Sequence, residues 1–226
     1  ALLVFMISFQ FGTYNLMIDG TLSVLTGHLQ VQEARYHTEQ RMRYTVPEGA
    51  ALAARLRREA GIDRVAARGA AFALASSDKR SFGIQVLGVQ PSFEPGVSTL
   101  PGLVKQGRYL ADSGASEIVI GSVLARNLKV KLGDEITLLG SGRDDSFAAG
   151  IATVVGIIDS GMTELDRSVA QLPLGYFQDV FAMGDEVHSL VIELDELALV
   201  PAVKARLQQL VTDPDLAVLD WDQLQP

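Results

Sequence analysis

The side chains of this 226-residue chain whose types could do chemistry are few: three histidines, Ser160 in an Asp-Ser-Gly turn, and several close carboxylates. With no cysteine, a thiolate nucleophile, a disulfide framework and a thiolate zinc site are excluded together. Glu33 and His37 have the i, i+4 spacing that puts two metal ligands on one helix face. Their local sequence is loop-like and no third ligand accompanies them, so no metal is expected. Acid–base work by paired carboxylates needs burial to separate their pKa values. Asp144-Asp145 and Glu164/Asp166 fall in polar segments expected to be exposed. Asp159-Ser160-Gly161 follows a predicted strand, but Ser160 reads as a turn residue and no GxSxG or SxxK context supports a nucleophile. Gly140-Ser141-Gly142 would need a helix N-terminus after it to cradle phosphate; the polar residues 143–146 and another β-like run follow instead. It reads as a hairpin tip. The expectation is therefore no catalytic residue, no cofactor and no ATP hydrolysis by this chain itself.

Charge narrows the partners. The formal net charge is −8, and no run of Lys or Arg is long enough to track a phosphate backbone, so nucleic acid is not expected. Residues 1–18 carry no charged side chain, the first being Asp19. Ser8, Gln10, Gly12, Thr13 and Asn15 interrupt the run, which is shorter than the ~20 predominantly apolar residues of a full span. It lacks the basic start and small-residue cleavage site of a secretory signal. We read residues 1–25 as the outer end of a membrane helix; the alternative is an amphipathic helix docked on a soluble core. Phe5, Met6, Phe9, Phe11, Tyr14 and Met17 are the candidates for a substrate-facing or lipid-facing surface there, the plainer reading being buried helix surface.

The elements behind these residues follow from periodicity. The first helix runs to about residue 25 and Thr26-Gly27 stops it. Residues 28–34 alternate as a half-buried strand, residues 35–44 form a polar loop, and a helix from Pro47 ends at Gly61 with Leu52 and Leu56 on its buried face. Residues 64–89 read as a hairpin turning at 76–79. Near the far end, 190–194 is a strand, 199–211 a helix and 216–220 a strand. Strand–helix–strand thus occurs twice, and two such units commonly pair into one sheet with both helices on one face. The expected class is α+β. A discontinuous α/β subdomain comprises 26–106 and 187–226, and a β-rich subdomain, 107–186, is inserted between its halves. In that insert a short helix, 122–128, leads through a Gly133-Asp134 turn into strands 135–139 and 153–158.

The order of those pieces carries a resemblance. The segments GRYL (107–110), EIVIGSVLARNLKVKLGDEITLL (117–139) and TVVGIIDSGMTELDRSVAQLPL (153–174), with GTLSVLTGHLQVQ (20–32) as a junction, are similar to the MacB-like periplasmic core domain of ABC-transporter permeases. That group includes FtsX-like proteins and the lipoprotein-releasing LolC/LolE subunits. The resemblance covers nearly the whole chain. It implies a porter-like α/β part with a β-rich part inserted, following a first membrane helix. It implies a non-enzymatic role in the bacterial inner membrane, with the domain facing the periplasm. The implied partners are a separate ABC ATPase subunit, a second permease subunit in a homo- or heterodimer, and a lipoprotein or other exported substrate moved by mechanotransmission. Tripartite efflux is one alternative; a soluble or peripheral binding module outside transport, with residues 1–25 as a docking helix, is the other. One lipoprotein-releasing subunit carries a Pro-rich hairpin extension that recruits a soluble carrier; here the tip, 141–149, is short and without proline, so recruitment of a carrier or adaptor is in doubt.

Overall fold

The computed structural model describes residues 26–111 and 114–224. Strand β1 (Leu29–Glu33) is followed by a one-turn helix α1 (Tyr36–Glu39), helix α2 (Gly49–Ala60), and the long hairpin β2 (Val65–Ser76) and β3 (Ser81–Val89). A crossing segment holds α3 (Glu94–Val97) and a 3-10 turn (Leu100–Leu103) before β4 (Val104–Gly107). Then come β5 (Glu117–Gly121), α4 (Ser122–Leu128), β6 (Glu135–Ser141), β7 (Phe147–Ile158), α5 (Thr163–Ser168), β8 (Val169–Pro173) and α6 (Leu174–Val180). The chain closes with β9 (Ser189–Ile192), α7 (Val200–Leu210), β10 (Leu216–Asp220) and α8 (Trp221–Leu224).

The two strand–helix–strand units, β1–α2–β2 and β9–α7–β10, share one sheet in the order β10-β1-β9-β2. Each unit is split by a strand of the other, and all three pairings are antiparallel. Odd-numbered residues of β1 and β2 explain the layer: Leu29, Val31, Val65 and Ala67 face Ala53 and Leu56 of α2 and Leu207 of α7 in one buried cluster. Both helices therefore lie on the same sheet face. Gly61, at φ +62°, ends α2 in the left-handed region that glycine tolerates. Helix α2 starts at Gly49 rather than at Pro47, because Glu48 takes a left-handed conformation and sets the helix entry two residues later.

The β-rich part closes on itself. Strands β2-β3-β8-β5-β7-β6 form a ring that returns to β2, a six-stranded barrel with parallel pairs at β3·β8 and β5·β7. Its interior holds Ala71, Ala73, Ala75, Ile84, Val86, Ile118, Ile120, Ile136 and Leu138, closed at one side by Leu124 and Leu128 of α4 and by Phe177 and Phe181. Strand β2 thus passes one face of its length through both cores, first at Val65 and Ala67, then at Ala71, Ala73 and Ala75. The expected boundaries, 26–106 with 187–226 and 107–186, do not coincide with separate sheets, since β2 and β3 serve both parts.

Three local expectations change. The hairpin β6–β7 is longer than read: its strands reach Ser141 and begin at Phe147, leaving only 142–146 as the tip. Within residues 159–174, given no element from the sequence, lie α5 and the fully buried strand β8. The loop 35–44 contains α1.

Candidate functional site: the joint between the two cores

Along one edge, β2 pairs with β9 over Val65–Arg68 and with β6 over Ala73–Ser76. Between those ladders the edge changes neighbour, and side chains take over from strands. The Ala70 N–H donates to His188 Nδ1 at 3.0 Å, and His188 N–H donates to the Arg68 carbonyl at 2.9 Å. His188 Nε2 lies 3.2 Å from the Met42 carbonyl. Since Nδ1 accepts, Nε2 carries the proton and donates to Met42. The ring stacks on Tyr36 at 4.9 Å between centroids. Burial pushes the His188 pKa down to about 4, so the imidazole is neutral near pH 7.

Gly69 and Gly88 face each other across β2 and β3, and the Phe177 ring packs so close to both that a Cβ on either would overlap it. An aromatic plug therefore sits where the barrel meets the helix-backed sheet.

On the opposite face of β2 a polar chain crosses the joint. Arg68 is 4% exposed and pairs with fully buried Glu94 of α3: Nη2–Oε1 is 2.6 Å and Nε–Oε2 is 3.1 Å. This two-point geometry is the strong form of a guanidinium–carboxylate pair. Gln171 of β8 donates from Nε2 to Glu94 Oε1 at 3.4 Å, and Tyr109 donates its hydroxyl to Gln171 Oε1 at 2.8 Å. Burial, then the Glu94 charge, raises the Tyr109 pKa, which keeps the phenol a donor. Gln90 adds a fifth contact, accepting the Ala67 N–H at 2.9 Å. The chain Arg68–Glu94–Gln171–Tyr109 links β2, the crossing segment, β8 and the loop that follows β4. Each carboxylate and amide in it has a hydrogen-bond partner, so the arrangement ties the two cores together at the crossing.

The residues picked out by type fall elsewhere. Phe5, Met6, Phe9, Phe11, Tyr14 and Met17 lie outside the described residues. Asp166 corrects the expectation of exposure: it is 2% exposed and accepts from Ser160 N at 3.0 Å and Ser160 Oγ at 2.7 Å. It staples the 159–162 turn, which leaves Ser160 the turn residue it was read as. Its companion Glu164 is exposed and pairs loosely with Arg167 at 3.6 Å. Asp144 and Asp145 sit at the β6–β7 tip. Glu33 and His37 are not on one helix; Glu33 belongs to β1 and is buried, held at 2.7 Å by Nε of Arg35. Among the described residues, no group of three or more His, Asp or Glu side chains is placed to hold a metal ion. No described helix is long and apolar enough to cross a membrane.

Sequence reasoning missed the joint itself. One signal was visible: Arg68 is the sole charge in VAARGAAFALAS, a strand otherwise apolar or small. A lone arginine inside such a strand requires a buried carboxylate, and Glu94 supplies it.

A helix-backed split sheet, its second strand running on into a closed barrel and an ion pair locked at the crossing, defines a two-core α+β domain. That class of protein has relatives. Residues 1–210 match the family model of the MacB-like periplasmic core domain, and the chain belongs to that family. It is 26% identical over 146 residues to the lipoprotein-releasing system transmembrane protein LolC of Neisseria meningitidis serogroup B, covering 62% of this chain and 35% of that protein. To the corresponding LolE protein of Haemophilus influenzae it is 31% identical over 118 residues, or 50% of this chain and 28% of the other. The matches thus span about a third of these relatives' length. The fold is shared with the periplasmic region of MacB from Actinobacillus actinomycetemcomitans, at TM-score 0.60, 15% identity and coverage of 88% and 91%. It is shared also with the extracellular domain of the ABC-type transporter YknZ from Gram-positive bacteria, at TM-score 0.62, 16% identity and coverage of 86% and 100%.

Proposed function

We propose that this chain is the periplasmic part of an inner-membrane ABC-transporter permease subunit. In this reading it converts the cycle of a separate ATPase subunit into release of lipoproteins from the membrane. The observation that carries the reading is where the uncharged segment 1–18 leads. The chain passes from it within about ten residues into β1, which is hydrogen-bonded on both sides, Leu29 opposite Ile192 and opposite Asp220. A displacement of the N-terminal segment is thereby delivered to a strand paired on both sides, one in from the edge of the sheet. From there it passes through β9 and β2 to the barrel. Strand ladders loaded along their length resist as a set, so the domain moves as a lever rather than peeling from an edge.

The family membership supports a non-catalytic role, and the similarity to LolC and LolE supports lipoprotein as the cargo. The tip 142–146 is short and carries no proline, which favours a substrate-holding subunit over a carrier-recruiting one. Phe5, Met6, Phe9, Phe11, Tyr14 and Met17 would face the cargo at the membrane surface.

Purification of the full-length protein from membranes, with identification of what accompanies it, tests the proposal. An ATPase subunit, a second permease subunit and acylated lipoproteins are expected. An ATPase with a periplasmic adaptor instead of lipoproteins would move the assignment to tripartite efflux. A protein that washes off the membrane with no ATPase would overturn the transporter reading.

A further inference from the structure

The barrel exterior over β2, β6 and β7 is apolar where a solvent-facing sheet should be polar. Phe72 is 70% exposed, Phe147 77%, Ile151 54% and Leu74 43%. The register puts them on one face: Leu74 lies opposite Leu139, Leu139 opposite Ala149, and Thr137 opposite Ile151. Gly83, opposite Leu74 on β3, leaves a shallow hollow beside Phe72 and Leu74 that is open enough for a large side chain. Knobs and a hollow thus occur on the same surface, as a self-complementary contact requires.

Charge sets the orientation of such a contact. The turn joining β2 to β3 presents Lys79 and Arg80, beside Lys129 and Lys131, against Asp78, Asp134 and Glu135. The β6–β7 tip, at the other end of the strands, presents Asp144 and Asp145, while its Arg143 is engaged by Glu186 at 2.9 Å. One end is net positive and the other net negative, so a two-fold pairing of this face places each end over its opposite.

With the Gly83 hollow of β3 included, four strands at ~4.8 Å spacing and three rows of side chains give a face of roughly 400 Å². That is about half the ~800 Å² per partner of a stable complex. The face is too small to hold a dimer in dilute solution, yet sufficient for two copies held in one membrane, where tethering raises the effective concentration to about the millimolar range. Resting on the permease reading above, we propose that this face is a contact between two copies of this chain, made in the membrane-tethered assembly.

The test uses full-length protein in membranes, expressed with two different tags and carrying Arg80→Cys with Asp144→Cys. Within one chain these tips are separated by the length of β6, roughly 24 Å at ~3.4 Å per residue, which no disulfide spans. Oxidation should therefore link differently tagged copies. Phe147→Ser and, separately, Phe72→Ser should lower the yield about tenfold, the effect of removing an aromatic anchor from a contact. Both side chains are exposed, so these variants keep the fold, which circular dichroism checks. A control cysteine at Arg58, on the helix side, should give no dimer. Co-purification with an ATPase but no link would overturn the contact and leave the permease reading standing. A link only to a different polypeptide would also overturn it. A link without any ATPase would support the contact and sink the permease reading.

Discussion

Arg68 and Glu94 are the residues on which the joint depends, because neither charge has water to fall back on. Glu94→Ala leaves a guanidinium buried without its main counter-charge and should cost about 3–5 kcal/mol in urea unfolding. Arg68→Met together with Glu94→Leu should recover most of that loss, as paired apolar replacements of buried ion pairs often do. A double variant no more stable than Glu94→Ala would show that the surrounding amides, not the ion pair, hold the crossing. His188 gives a pH signature. Its folded pKa of about 4 lies below the ordinary 6.5, so between those values the unfolded chain binds more protons and stability falls as pH falls. The loss should begin near pH 6.5 and reach up to roughly 3 kcal/mol by pH 4. His188→Gln should remove that slope between pH 6.5 and 5, where most carboxylates are still ionised; an unchanged slope would assign it to other groups.

At the scale of elements, the barrel and the helix-backed sheet are joined by a close approach that two glycines permit. Gly88→Ala would drive a methyl group into the Phe177 ring and should destabilise by about 1–3 kcal/mol, the usual cost of overpacking. Equal stability in denaturant would mean that Phe177 can swing aside. Much of this layer was legible in the sequence. Helix α4 runs over the same residues that periodicity gave, Ser122–Leu128, and β10 likewise, Leu216–Asp220. The repeated strand–helix–strand units predicted a shared sheet with both helices on one face, and the order β10-β1-β9-β2 is that sheet. What stayed hidden was long-range. Nothing local says that β2 would change neighbour from β9 to β6, or that β6 would close a ring, because barrel closure is decided by pairings more than 60 residues apart. Strand β8 was hidden for a different reason: buried on both faces, it shows no alternation to read. Asp166 looked exposed because its neighbours Glu164 and Arg167 are; only the fold shows it turned inward to Ser160.

For the whole molecule, the proposed function has motion enter at β1 and leave through the barrel. Stiffness before β1 is then as necessary as the sheet behind it. A proline placed within residues 13–22, which the sequence reads as helix, should uncouple transport while assembly with the ATPase persists, since proline breaks a helix interior. The more direct measurement leaves the N-terminal segment and the domain intact and softens only their connection. A flexible Gly-Ser insert of several residues between Thr26 and Gly27 of the full-length protein, in membranes with its ATPase, would be assayed for ATP turnover and for lipoprotein release together. If motion enters at β1, ATP turnover should continue and release should be lost, because a random-coil linker transmits no displacement. Release continuing at the unmodified rate would contradict it.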